Sequence, residues 1–407
     1  MNKLIKWRLP ILCMLVLTSG CTGTQTKSDS ILSDESKAVS TKVHSIYFAG
    51  FAISGENQSS EANFPSTIKL MKEMNPLRNI SILDEKAQEA IKRVSNPNLK
   101  INADSLGDYK KGDGLSAAVV VDSEDVSQVL IDGKTKIVVT LRGQIVAFNF
   151  KEMKIVGSYP LTAELIDAAD GPISSEQIDN AVRRLYIEGS TSFINELVNR
   201  FNKISINDNY TRGIQIKNVS IDDTYADQLK NKNQTKKDIQ VFIARNFEKY
   251  LSINQNVSIL PFIKEQSIGG RLSARFSNGD IFNLEIPSPD YTVSLQLKKL
   301  IKARVGGSAV EDVFGYASIL NIKSEQPEMA KIYVDVDVRY ALPVTITKSM
   351  SRTDDKAHYS ESLIQAINTF TKQINKPDSE WMNTWVESKG DISDQMESFY
   401  EVIKKCK

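Results

Sequence analysis

The chain has 407 residues, 41% apolar and 25% charged, with 51 Lys plus Arg against 50 Asp plus Glu. That length exceeds the usual reach of one hydrophobic core, so two domains are expected, and the composition excludes a chain disordered throughout. Near-neutral charge gives no whole-chain case for nucleic acid or an anionic surface as partner, while three Cys and two His exclude a disulfide scaffold and argue against a zinc site. Residues 1–20 come first. Lys3, Lys6 and Arg8 stand without an acid, 9–17 is apolar apart from Pro10, and Thr18, Ser19 and Gly20 precede Cys21. This is the pattern of a secretory signal peptide, and the apolar run is about half the ~20 residues that a spanning helix needs.

Leu17-Thr18-Ser19-Gly20-Cys21 resembles the lipobox of bacterial lipoproteins, with Thr18 standing where that family usually has Leu, Val or Ile. The resemblance implies cleavage between Gly20 and Cys21, diacylation of Cys21 and acylation of the new N-terminus. Several acyl chains on one residue anchor stably where one chain is marginal. Residue 22 is Thr rather than Asp. By the same resemblance, this favours the outer membrane, facing the periplasm, over retention in the inner membrane. Cys13 leaves with the signal and Cys21 is lipidated, so Cys406 is a lone thiol without an intramolecular partner.

The polar stretch that follows makes 21–43 an acylated Cys and flexible tether. A first α+β domain is expected over 44–205. Ile46 to Ile53 reads as a buried strand, Phe64-Pro65 opens a helix that Pro76 ends, 79–83 reads as a short strand and 85–94 as a helix. The stretch 99–114 reads as a loop. Residues 117–131, 134–150 and 154–166 read as three long strands, the first pair joined at Asp132-Gly133, a tight-hairpin signal. One helix is expected over 178–204, with Phe193, Leu197, Val198 and Phe201 on one face.

Residues 206–213 have linker composition, and the element order then recurs in a second α+β domain over 214–376. A strand at 214–221 precedes a helix capped by Thr235, whose stripe holds Ile239, Phe242, Ile243, Phe247, Tyr250 and Leu251. A strand follows at 257–262, and strands at 271–277 and 280–286 flank Asn278-Gly279. Strands are expected at 291–305, 314–322 and 332–346. In the last, Ile332, Val334, Val336, Val338 and Tyr340 alternate with Tyr333, Asp335, Asp337 and Arg339. A helix over 360–374 closes the unit, and 377–407 is a helical tail. The fold class is therefore α+β: two consecutive units, each a largely antiparallel sheet packed by amphipathic helices, behind a signal peptide and tether. Residue identities hardly match between the halves, so the recurrence is one of structure.

Ser258-Ile259-Leu260-Pro261-Phe262, after the 239–251 helix and behind a lipobox, resembles the periplasmic α/β domains of curli-secretion lipoproteins and of lipoprotein activators of penicillin-binding proteins. That resemblance covers about 50 residues plus an element order and brings no catalytic signature. The long three-strand meander of the first half departs from it.

No catalytic residues, metal ligands or cofactor site are assigned. His44 and His358 lie in different halves and neither has a Gly-x-Ser-x-Gly companion. Gly112-Asp113-Gly114 lacks the rest of a phosphate loop and reads as a turn. The acidic groups Asp122, Glu124 and Asp125, the pair Asp335 and Asp337, and Asp354-Asp355 are candidates for paired-carboxylate chemistry, with a solvated face as the commoner outcome. Lys298, Lys299, Lys302 and Arg304 form a basic cluster. In the tail, Trp381 and Trp385 share a helical face and Phe399 belongs to a second stripe. These three are candidate partner-binding residues, against packing on their own domain.

The reading is a non-enzymatic, lipid-anchored envelope protein that scaffolds, assembles or regulates an envelope complex. Its expected partners are the membrane, through the lipid, and envelope proteins. A homo-oligomer is an open option and nucleic acid is not expected. The alternative is an oligomeric outer-membrane secretion channel, for which 117–150 is the stretch to nominate as barrel-forming. An envelope hydrolase using carboxylates ranks last.

Overall fold

Two long meanders dominate the protein because apolar and β-branched residues alternate across them and short turns join their strands. The computed structural model describes residues 44–55, 63–103, 114–131, 134–206, 212–230, 234–262, 270–349 and 354–407. The signal segment, Gly20, Cys21, the tether, Asp132-Gly133, Gly112-Asp113 and most of 206–213 lie outside the described residues.

The first unit runs β1 (His44–Ser54), α1 (Pro65–Lys72), β2 (Met74–Asn75), β3 (Ile80–Ser81), α2 (Ile82–Ile91), β4 (Leu99–Asn102), β5 (Leu115–Ile131), β6 (Lys134–Asn149), β7 (Lys154–Asp170), α3 (Ser175–Ile187) and α4 (Phe193–Phe201). β1 lies parallel to both β4 and β5, and β5, β6 and β7 pair antiparallel. Three local expectations change. The stretch 99–114 begins with a strand, β4. The strand expected over 79–83 ends at Ser81, whose hydroxyl accepts from Asp84 N at 3.1 Å and starts α2. The helix over 178–204 is two helices, because Gly189 turns at φ +79° and Ser192 caps α4.

The second unit runs β8 (Ile214–Ile221), α5 (Asp223–Leu229), α6 (Lys236–Gln255), β9 (Gly270–Phe276), β10 (Ile281–Ile286), β11 (Tyr291–Gly307), β12 (Glu311–Gln326), β13 (Lys331–Thr347), α7 (Asp355–Gln373), α8 (Ser379–Trp385), β14 (Val386–Ser388) and α9 (Ile392–Lys405). β8 is parallel to β11, as β1 is to β5, and β11, β12 and β13 form the second antiparallel meander. The strand expected at 257–262 shrinks to one parallel bridge, Gln215 to Leu260. That bridge sits where β4 stands in the first unit.

The recurrence extends to single residues. β5, β6 and β7 have 17, 16 and 17 residues, and β11, β12 and β13 have 17, 16 and 17. Asp122 is the extra residue of a bulge between Val121 and Ser123, and Lys298 that of the matching bulge between Leu297 and Lys299. Val156 and Tyr333 are bulged at matching places in β7 and β13, and each follows a turn residue at φ +50°, Met153 or Ala330. The Tyr333 bulge corrects the alternation expected in β13. Ile332 swings to the outer face, 52% exposed, and Tyr333 is buried instead, at 8%.

The hairpin β9–β10, turned at Asn278-Gly279 with Gly279 at φ +88°, leaves its own sheet. β9 pairs antiparallel with β1 (Ala52 with Phe276), and β10 meets β7 at Glu285–Lys154. The first sheet thereby closes into a ring, β1-β5-β6-β7-β10-β9, filled by Ala118, Val120, Val146, Phe148, Phe276, Phe282 and Leu284. Asp84 pins the hairpin: its carboxylate accepts from Phe51 N (2.7 Å), Ser81 Oγ (2.8 Å) and Ser277 Oγ.

α1 to α4 cover one face of the first sheet, through Leu83, Ala87, Tyr186 and Phe193. α6 approaches the other face. α6, α7 and α9 cover one face of the second sheet through Phe247, Phe370 and Phe399, and among the described residues none covers its outer face. The described residues form one compact unit.

Candidate functional site

The bulge in β5 carries Asp122 into a cluster of buried polar groups where the two units meet. Gln144 Nε2 donates to both Asp122 oxygens at 3.1 Å, and Ser158 Oγ donates to Gln144 Oε1 at 2.5 Å. The rest comes from α6, which Thr235 and Asp238 start with reciprocal backbone bonds of 3.3 and 2.8 Å. Arg245 Nη2 lies 3.5 Å from Asp122 Oδ1, and Arg245 Nη1 donates to Glu248 Oε2 at 2.8 Å. Glu248 Oε1 accepts from Phe262 N at 2.6 Å, which ties down the chain after the Leu260 bridge. On the rim, Arg142 pairs with Asp125 and lies 5.9 Å over the Phe242 ring.

Two carboxylates thus share one guanidinium. Burial raises the pKa of Asp122 and of Glu248, while Arg245 pulls each down in part. Burial works against the charge on Arg245, but Asp122 and Glu248 outweigh it and raise its pKa. The recess at this cluster measures about 10 Å³, room for one water. A second buried cation stands nearby. Arg200 from α4 donates to Ser252 Oγ on α6 and lies 5.6 Å over the Tyr159 ring; burial lowers its pKa to about 10. Ser158 N donates to Ser258 Oγ at 2.9 Å, and Ile259 N to Ser158 O at 3.0 Å. The chemistry of this arrangement is that of a joint: fixed, paired charges linking two sheets.

Of the residues singled out in the sequence, the structure brings Lys298 to Asp337 and Lys302 to Asp355 as ion pairs. Glu124 caps α1, whose Phe64 N-cap offers no side-chain acceptor, by accepting from Ser66 N (3.1 Å) and Thr67 N (2.7 Å). Asp335 and Asp337 both accept from Asn321 Nδ2 at 2.9 Å, and Lys298 sits 2.7 Å from Asp337. Asp354 caps α7, while Asp355 binds Lys302 (2.8 Å) and Tyr316 (2.5 Å). Arg304 pairs with Asp312 at 2.8 Å, so the basic cluster is largely tied up in ion pairs. His44 opens β1, and the His358 ring lies 4.9 Å from Tyr316. Among the described residues no group of three His, Cys, Asp or Glu is placed to hold a metal ion.

Trp381 is buried at 8% exposure, Phe399 is buried against Phe370 with ring centroids 6.2 Å apart, and Trp385 is half-buried, stacked 6.2 Å from Tyr340. Cys406 is buried, which pushes its thiol up to about 12. Of the cluster itself, sequence reasoning reached Asp122 alone; it missed Arg245 and Glu248, whose one signal is an opposite-charge pair three apart beside the apolar stripe of α6. Gln144 and Ser158 carry no signal.

No family model matches the chain, and no curated protein matches it. Among solved structures, it is similar to a Xanthomonas campestris protein described by the family model DUF330, at 10% identity and TM-score 0.22, covering 40% of this chain and 81% of that one. It is also similar to a putative neuraminyllactose-binding hemagglutinin homolog from Helicobacter pylori, at 12% identity and TM-score 0.20, covering 42% of this chain and 88% of that one. Overall likeness at these scores is slight.

Proposed function

We propose that this is a lipid-anchored protein of the bacterial envelope, facing the periplasm from the outer membrane, that acts without chemistry as a scaffold, assembly factor or regulator. The lipobox-like segment ending in Cys21 supports the anchor. The observation that carries the non-enzymatic part is the use of the buried charges. Asp122, Arg245 and Glu248 bond to one another and join the two units around a recess too small for a substrate. Metabolic labelling with a fatty acid tests the anchor: the native chain should take up label, and Cys21→Ser should lose it and shift from the membrane to the soluble fraction. A native chain without label overturns the reading. Particle size in mild detergent separates it from a secretion channel, since a large ring would favour the channel.

A further inference from the structure

The outer face of the second sheet points to self-association. The matching face of the first sheet is covered by its own chain near its root, by the β9–β10 hairpin, and at Asp122, by α6, while its outermost row stays open, with Ile166 59% exposed. Among the described residues the second sheet has neither cover. Its outer half is nevertheless the more apolar of the two, with cross-strand rows Ile301–Ala317–Ala341 and Ala303–Gly315–Pro343. The matching rows of the first sheet are Asp125–Thr140–Glu164 and Ser127–Val138–Ile166. Ile301 is 42% exposed and Ala303 and Pro343 are exposed. Small residues beside Ile301 and Ile319 make a face of knobs and hollows, the relief by which one sheet packs on another.

Charge marks the two ends of this face. Lys299 stands at its inner end beside Ile319, and Glu311 at its outer end beside Thr347; both are exposed. We propose that two copies of this chain pack these faces together, antiparallel about a two-fold axis passing near Gly315, with each Lys299 opposite the Glu311 of the other copy. Gly315 is midway along β12 between Ile319 and Glu311. The two-fold therefore satisfies both charges twice, while a parallel stack would set like charges together. Eight residues of three strands give a footprint of about 400 Å² per copy, half of the ~800 Å² per partner of a standard stable interface. The dimer is weak, populated at high local concentration.

Sedimentation equilibrium of the full chain in density-matched mild detergent tests this, from low to high micromolar protein. A monomer passing to a dimer is expected. Ala317→Arg should leave a monomer throughout with an unchanged melting curve. Lys299→Glu and Glu311→Lys should each weaken association about tenfold, and the double variant should restore it, because the swap re-forms both pairs. A chain monomeric at every concentration overturns the proposal. So does mass growing past a dimer, a dimer indifferent to Ala317→Arg, or a double variant no better than the singles.

Discussion

Asp122 and Lys298 are the extra residues of the same bulge in the two units, and their surroundings are opposite. Asp122 is 8% exposed and lies 3.5 Å from Arg245 of α6, whereas Lys298 is 37% exposed and pairs in solvent with Asp337 at 2.7 Å. One backbone irregularity therefore serves as a joint in the first sheet and as a surface ion pair in the second.

Cutting the two bonds should give different results. Arg245→Met strands Asp122 and Glu248 in the interior and should cost about 3–5 kcal/mol of stability. Lys298→Met leaves a half-buried carboxylate still held by Asn321 and should change stability by less than about 1 kcal/mol. Urea denaturation of both variants checks this; equal losses would mean that the cluster is no stronger than a surface pair.

Asp84 predicts a pH effect of defined sign. Burial raises its pKa above the ordinary 3.8, with Ser277, Phe51 and Ser81 opposing in part. Below 3.8 the carboxyl is protonated whether the chain is folded or not, and the native fold bears no cost. As pH rises, the unfolded chain releases the proton first, and folding loses stability until the folded group has ionised too. Asp84→Asn lacks that loss. The urea midpoint of the variant minus that of the native chain should therefore be larger at pH 7 than at pH 4. A difference that stays constant with pH would contradict the upward shift.

The tail should melt with the second unit. Removing a buried Trp costs about 3–5 kcal/mol, so Trp381→Ala should lower the melting temperature clearly. Trp385→Ala, which loses a stacked contact with Tyr340, should cost about 0.5–1.5 kcal/mol beyond its lost burial. Apart from Trp7 these are the only tryptophans. A blue-shifted, quencher-protected emission in the native chain is the companion readout. A red-shifted emission that moves only on adding another protein would make them docking residues.

A fragment of residues 214–407 should fail to fold cleanly, although the composition of 206–213 suggests a linker. It would expose Phe276, Phe282 and Leu284, whose partners Ala118, Val120 and Phe148 lie in the first unit. Dye binding and a broad melt are expected, and a sharp cooperative melt would show that the hairpin is dispensable.

The two meanders were legible because each strand is long, alternates and ends at a turn signal. Observed β5, β6 and β7 differ by at most four residues at any end from the strands expected. Thr235 was legible as a cap for the same local reason. The destination of β9–β10 was not, since Asn278-Gly279 announces a hairpin but alternation names a face and never the partner strand. The bulges at Lys298 and Tyr333 were equally silent, because one extra residue leaves no mark in composition. Of the charge cluster, Asp122 stood out by its neighbours Glu124 and Asp125, which have other partners. Gln144 and Ser158 matter only through the register that brings them together.

The exchanged hairpin also imposes a schedule. β1 pairs with β9 across more than two hundred residues of sequence, as Ala52 with Phe276. When the first unit has left the ribosome or crossed a membrane, its ring still lacks two staves, and Ala118, Val120 and Phe148 have nothing to close on. Such distant pairing is slow and leaves apolar surface bare in the interval. The N-terminal half must wait for its successor, so completion comes at the end for both halves together. An escort for the half-built ring is most needed during that wait.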